Sequence, residues 1–382
     1  MKVLYFCHTM PTLEKITISD YRNIEMQEIC FSPNVNCIWG DNGEGKTNLL
    51  DAIYYLSMTK SAMSPGDRYN FRHGCSRFAI CGQFRMPNGL SKRISVEVDA
   101  DGKKIRHDEK ICRTLDHIGQ LPVVMVSPSD ISLVSESSEE RRKFLNGVLS
   151  QLDRSYLESL QQYNRLLAQR NRLLKEDRID GALLKVLDER MAACAAPVYR
   201  ARKEFAARLE EAVGRLYRDI SGGTEEVGIA YSSDLDDGTL DEILCRRMDR
   251  DLAQHFTTAG IQRDELIFNL DGHPIRRCGS QGQQKSFLVA LKFAQYEIMK
   301  AAYGFAPTLL LDDIFDKLDR GRISNLLKMV SGQDFGQIFI TDCNKTRIME
   351  TIDAITAERS YFETHGGCFF EGGRKDMAET EG

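Results

Sequence analysis

No apolar run in this chain approaches the roughly eighteen residues that a membrane-crossing helix needs. The start, Lys2 followed by Val3 to Cys7, is too short an apolar stretch for a secretory signal. No two cysteines form a CxxC pair, although eleven are scattered from Cys7 to Cys368, which argues against both a disulfide framework and a zinc site. Internal repeats, low-complexity tracts and a nuclease-type cluster are missing too. Together these absences predict a cytoplasmic protein with reduced packing thiols. An excess of positive charge is also lacking: 51 Lys and Arg stand against 56 Asp and Glu, a net −5, which does not advertise nucleic-acid binding. The average hides one basic stretch, Glu139 to Arg218, with 17 cations against 12 acids. Charge alone favours a solvated helical surface there; a DNA-facing patch is the sharper alternative.

What is present is ordinary globular composition, 42% hydrophobic and 28% charged over 382 residues, enough for one large core or two to three lobes. Leu13 to Ile18 and Val35 to Trp39 read as strands, and Leu49, Ile53 and Leu56 recur at helical spacing. Phe78 to Phe84, Ser91 to Asp99 and Lys103 to Arg106 predict a β-meander, and Val123 to Val126 a short buried strand. Ser138 to Lys175 and Ala182 to Ile220 read as helical, the second kinked or divided at Pro197 and ended by Ser221-Gly222-Gly223. The acidic stretch from Glu225 to Asp251 holds one or two further elements. Leu309 to Leu311 and Ile338 to Ile340 are wholly apolar, as strands of a mostly parallel sheet are. The expected architecture is α/β: a nucleotide-binding head (1–128 and 257–382) interrupted by a mainly helical arm (129–256), with a frayed tail from Gly372.

Between a strand and a helix stands Gly40-Asp41-Asn42-Gly43-Glu44-Gly45-Lys46-Thr47, a full match to GxxxxGK[ST]. Its glycines let backbone N–H groups turn toward one centre, and the helix that follows adds the positive end of its dipole. Lys46 is expected on the β- and γ-phosphates of ATP, and Thr47 on Mg²⁺. Such a site needs a carboxylate for the metal. Leu309-Leu310-Leu311-Asp312-Asp313 supplies one: Asp312 for Mg²⁺, with Asp313 orienting the attacking water. The 265 residues between Thr47 and Asp312 exceed a compact GTPase or a simple transporter ATPase, and the helical arm fills the gap.

Cys278-Gly279-Ser280-Gln281-Gly282-Gln283-Gln284-Lys285-Ser286 lies 33 residues, counted from Ser280, ahead of Asp313. This segment resembles the signature of ABC ATPases in the form found in the RecF family. The resemblance extends to Asp20-Tyr21-Arg22-Asn23, to Asn42 through Tyr54, to Val124 through Asp130, to Arg141 through Asn146, to the D-loop-like Asp316-Lys317-Leu318-Asp319 and to Gln337 through Thr341. It implies an ABC/SMC-like ATP-binding protein of DNA repair and replication. Arg22, Asn48, Ser280, Gly282 and Gln283 would join the phosphate loop around nucleotide, with Ser280 acting on ATP held by a second copy in a homodimer. It also implies binding to gapped or junction DNA, with RecR and RecO as partners in loading RecA. Arg141, Arg142, Lys143, Arg170 and Arg172 are the candidate DNA contacts.

The chain departs from the family pattern at several points. Asp342 stands where ABC ATPases commonly have a switch histidine, Asp313 replaces a glutamate, Ser127 to Asp130 occupies the usual Q-loop place, and Gly260-Ile261-Gln262-Arg263-Asp264 replaces Gly-Pro-His-Arg-Asp. Weak, switch-like hydrolysis is therefore expected. The first ten residues match nothing in the family, which makes Met10 an alternative start. An SMC-like subunit working with a nuclease is the alternative function.

Overall fold

A computed structural model describes residues 10–223, 225–313, 336–353, 356 and 358–372. The chain divides into two compact units: Met1–Ser129 with Met299–Gly382, and Asp130–Ile298. In the first, β1 (Thr12–Tyr21), β2 (Ile24–Cys30) and β3 (Val35–Trp39) precede α1 (Lys46–Met58). β4 (Phe78–Arg85), β5 (Ser91–Asp99), β6 (Gly102–His107), β7 (Lys110–Cys112) and β8 (Val123–Val126) follow. β1, β2 and β4 to β7 form an antiparallel sheet in the order β2-β1-β4-β5-β6-β7. Its strands alternate as a one-sided sheet must: Ile94, Val96 and Val98 point into the core while Lys92, Arg93, Ser95 and Glu97 lie at or near the surface. The sequence gives no period-2 signal for β2, because only Ile24 and Ile29 of this edge strand are buried.

In the second unit, α2 (Ser138–Leu152) and α3 (Arg154–Leu173) occupy the stretch expected to be helical from 138 to 175. Asp153 divides them, its side chain accepting from Ser155 N–H at the start of α3. α4 (Gly181–Ser221) runs unbroken through Pro197, so the expected division does not occur. The proline removes one backbone hydrogen bond, but Ala195 and Val198 beside it stay buried, and that packing holds the helix across the gap. Gly222, at φ 82°, ends it in the left-handed conformation. β9 (Val227–Ser232), α5 (Leu240–Arg246), α6 (Met248–Gln254), β10 (Glu265–Leu270), β11 (His273–Pro274) and α7 (Gln281–Tyr303) follow. The second unit thus reaches Ile298, inside α7, beyond the boundary expected at 256: β10 pairs with β9 along its length, and Phe287 of α7 packs near Tyr217 of α4.

The first unit resumes with β12 (Thr308–Leu311), β13 (Ile338–Asp342), α8 (Lys345–Asp353), β14 (Arg359–His365) and β15 (Cys368–Glu371). Its second sheet has the order β15-β14-β3-β13-β12-β8, parallel throughout except at β15. β3, β8 and β13 are buried along their whole length, which explains the wholly apolar β8 and the apolar runs of Cys37, Ile38 and Trp39 in β3 and of Ile338, Phe339 and Ile340 in β13. α1 packs against both sheets: Leu49, Leu50, Ile53 and Leu56 share one core with Ile16, Ile18 and Ile80 of the antiparallel sheet and Ile38, Leu310 and Phe339 of the parallel one. Each such side chain contributes about 1.5–3 kcal/mol by leaving water. Pairing of Leu311 with Val126 and Ile340, and of Asp342 with Trp39, brings the carboxyl ends of four strands together. Ligands of open α/β sheets bind at such an edge.

Candidate nucleotide site

β3 delivers the chain to Gly40, where φ is 155° and a Cβ would stand 2.6 Å from the Thr364 carbonyl oxygen. Gly45 caps α1 in the left-handed region, and a Cβ there would press on the Asn23 amide at 2.9 Å. Between them Asp41, Asn42 and Gly43 form an exposed loop, and α1 begins at Lys46 with its N–H groups leading. Two hairpin turns brace this loop. From the β1–β2 turn, Asn23 donates to the Gly43 carbonyl (3.4 Å) and accepts from Asn48 (2.7 Å). From β14 and its turn, Thr364 Oγ1 and Gly367 N–H both donate to the Glu44 carbonyl at 3.0 Å, while Gly366 N–H donates to the Glu44 carboxylate.

Lys46, 4% exposed, donates to the Gly40 carbonyl at 2.6 Å, the Asp41 carbonyl at 3.0 Å and Cys343 Sγ at 3.5 Å. Thr47 Oγ1 donates to the Asp312 carboxylate at 2.9–3.0 Å, closing the separation of 265 residues. Asp312 is 3% exposed, and burial pushes its carboxyl above the usual range against the hydrogen bonds from Thr341 and Thr47. Thr341 fixes both acids: its hydroxyl donates to Asp312 Oδ1 (2.8 Å) and accepts from Asp313 N–H (3.0 Å). That backbone bond meets Asp313 in a left-handed conformation, φ 43°. Asp342 is buried, and its carboxylate accepts from Asn344 N–H at 2.8 Å, at the entrance to α8. Asp316 to Asp319, the expected D-loop, lie outside the described residues.

Arg22 reaches the base of the loop without offering it a free charge. Its guanidinium sits 2.9 Å from buried Asp51 and donates to Ser61 Oγ (2.9 Å) and Asn48 Oδ1 (3.3 Å). Ser280 and Gln283 belong to the second unit and form a reciprocal cap on α7. Gln283 N–H donates to Ser280 Oγ at 3.3 Å and Ser280 N–H to Gln283 Oε1 at 2.6 Å. Ser280, Gln281 and Gly282 are exposed at this helix start.

Two of the five candidate DNA contacts are corrected. Arg170 is wholly buried, bonded to Asp188 and Asp251 at 2.6 Å each and to Thr257 at 2.9 Å. Arg141, 5% exposed, is engaged by Glu265 and by the carbonyls of Leu133 and Glu136. A guanidinium buried this deeply and bonded to carboxylates or carbonyls does not reach a phosphate on the surface. Arg142 is half-buried and donates to the Asp264 carbonyl, Lys143 is exposed but paired with Glu139 and Glu140, and Arg172 is exposed.

Residues 15–211 match the family model described as an AAA domain. DNA replication and repair protein RecF of Phocaeicola vulgatus is 42% identical over 371 residues, covering 96% of this chain and 100% of that protein. RecF of Bacteroides thetaiotaomicron is likewise 42% identical, over 94% of this chain and 99% of its own. The solved structure of the recombination mediator protein RecF–ATP in the RecFOR pathway matches 97% of this chain and 100% of its own with a TM-score of 0.86 at 28% identity. The Smc head domain from Pyrococcus furiosus, at 15% identity and a TM-score of 0.57, shares the fold. The fold is that of an ABC-type ATPase head joined to a largely helical second unit.

Proposed function

The chain belongs to the RecF family of DNA replication and repair proteins, and from that premise we propose that it binds ATP with Mg²⁺, closes into a homodimer on gapped or junction DNA, and helps RecR and RecO load RecA. The observation that carries this reading is the contact of Thr47 with Asp312, which joins the phosphate loop to the acid-ended strand β12. Hydroxyl and carboxylate are the hard oxygen donors that Mg²⁺ takes, so Thr47 and Asp312 would hold it, and the ion would offset charge on the β- and γ-phosphates. Lys46 adds a buried cation whose direct hydrogen-bond acceptors are neutral, two carbonyls and a thiol. Asp313 orients the attacking water. Its side chain is one methylene shorter than glutamate, and the Asp342 carboxylate is already engaged by Asn344. Both features favour slow turnover, with hydrolysis serving as a release signal.

Ser280 and the start of α7 would meet the γ-phosphate of ATP held by a second copy, so that two nucleotides bridge a twofold dimer. DNA would lie along basic side chains that reach phosphates rather than base edges. No helix among the described residues is long and apolar enough to cross a membrane; the proposed site of action is the cytoplasm, where DNA is. Ser280→Arg should keep ATP binding and lose ATP-dependent dimerisation on sizing columns, whereas Lys46→Met should lose both. Wild-type protein that takes up ATP without pairing would overturn the reading.

A further inference from the structure

Gln283 makes a second bond that capping does not require. Its Oε1 is held by Ser280 N–H, and its Nε2 donates to Glu225 Oε1 at 2.7 Å. The other oxygen of Glu225 accepts from the Tyr217 hydroxyl at 2.5 Å. Tyr217 is fully buried in the last turn of α4, with its ring 6.5 Å from Phe287 on α7. Two residues earlier on α4, Arg215 pairs with Glu297 farther down α7. Thus the end of the 41-residue helix grips α7 at two points, and one of them leads in two hydrogen bonds to the residue that shapes the signature turn.

We infer that Glu225 is a positioning residue for the signature: through Gln283 it ties the orientation of Ser280 to the position of α4. This inference rests on the reading of Ser280 as the contact to ATP on a second copy. A carboxylate suits the place because it accepts from two donors at once, the Tyr217 hydroxyl and the Gln283 amide, and charge-assisted bonds of this kind are about twice as strong as neutral ones. When α4 shifts, Glu225 moves with Tyr217, and Gln283 must either follow or release its hold on Ser280 N–H. Anything that binds the helical unit and shifts α4 would therefore bias how readily the second copy is engaged.

The test uses the full chain, fluorescent ATP binding and ATP-dependent dimerisation by sedimentation. Glu225→Ala should leave ATP affinity of the monomer unchanged, since the phosphate loop belongs to the other unit, and weaken the ATP-dependent dimer at least tenfold. Glu225→Gln can still accept from Gln283 while donating to the Tyr217 oxygen, and should restore most of the dimer. Gln283→Glu sets two carboxylates against each other and should weaken it. The double variant Glu225→Gln/Gln283→Glu reverses the polarity of the bond and should regain dimerisation relative to Gln283→Glu alone. Dimerisation of Glu225→Ala at the wild-type level, loss of its ATP binding, or failure of the double variant to regain dimer would each overturn the inference. Absence of an ATP-dependent dimer in the wild type would instead remove the reading beneath it.

Discussion

Lys46 in the phosphate loop and Arg170 in the helical unit are both cations out of reach of water, and their surroundings are opposite. Arg170 meets two carboxylates, Asp188 and Asp251, each at 2.6 Å. Arg202 repeats the pattern with Asp264 at 2.5 Å. Lys46 donates to two carbonyl oxygens and a thiol; the Asp312 carboxylate acts on it only through space, with no direct ion pair among the described residues. A buried charge matched by opposite charge is part of the scaffold. One whose direct partners are dipoles, with no carboxylate in hydrogen-bond contact, retains more of its field for an incoming anion. Burial therefore does not separate a binding cation from a structural one; the charge of its partners does.

The sharpest way to break this contrast is to remove each charge in turn. Arg170→Met leaves Asp188 and Asp251 facing each other in the interior and should cost about 3–5 kcal/mol of stability in urea unfolding. Burial already pushes the Asp188 carboxyl up against the opposing pull of Arg170, so the orphaned acid has a strong tendency to take a proton. Lys46→Met breaks no direct ion pair, only a through-space attraction to Asp312, and should change stability by no more than about 1 kcal/mol. Comparable destabilisation by the two substitutions would mean that the carboxylate partners do not distinguish the sites.

His117 shows a third way to bury a base, which is to leave it neutral. It is wholly buried, with one ring nitrogen 2.7 Å from the Leu56 carbonyl near the end of α1 and the other 2.8 Å from His107. Burial first, and the neighbouring His107 further, lower its pKa from 6.5 to about 4, against the hydrogen bond to Leu56. The unfolded chain then binds a proton at a pH where the folded one does not. Stability from this group is complete above pH 6.5 and is lost as pH falls toward 4, by about 3 kcal/mol over the window. His117→Gln should flatten that part of the stability curve. A curve of the same slope in both proteins would show that His117 is not held neutral.

Much of this was legible in the sequence wherever the signal is local. The phosphate loop is contiguous, and β12 announces itself as an apolar strand ending in acids. Thr341 and Cys343 were not legible as site residues, because only strand register brings them to Asp312 and Lys46. The bracing of Glu44 by Thr364 and Gly367 likewise joins positions more than 300 residues apart. Arg170 is among the expected DNA contacts although a signal against it is present. Arg170 falls in the stripe Tyr156, Leu160, Tyr163, Leu166 and Leu173, and Arg202 between Val198 and Phe205 on the same kind of stripe. Counting charge over a stretch overlooks this; a cation on the apolar face of a helix is already an argument for a buried partner.

The smallest effect expected is on DNA, and it carries the comparison to the surface. Arg172 is exposed and no carboxylate pairs with it among the described residues, whereas Lys143 is held by Glu139 at 3.0 Å and Glu140 at 2.8 Å. If phosphate contact requires an unmatched charge outside as well as inside the protein, the two should differ. Arg172→Ala should weaken DNA binding severalfold and reduce the slope of log affinity against log salt by about one, the release of one counterion. Lys143→Ala should move the slope less, because its lysine must leave two glutamates before it meets a phosphate. Anisotropy titrations on a gapped duplex at several salt concentrations would measure both. A larger change for Lys143 than for Arg172 would show that an unmatched charge is not what phosphate contact requires, and end the parallel with Lys46.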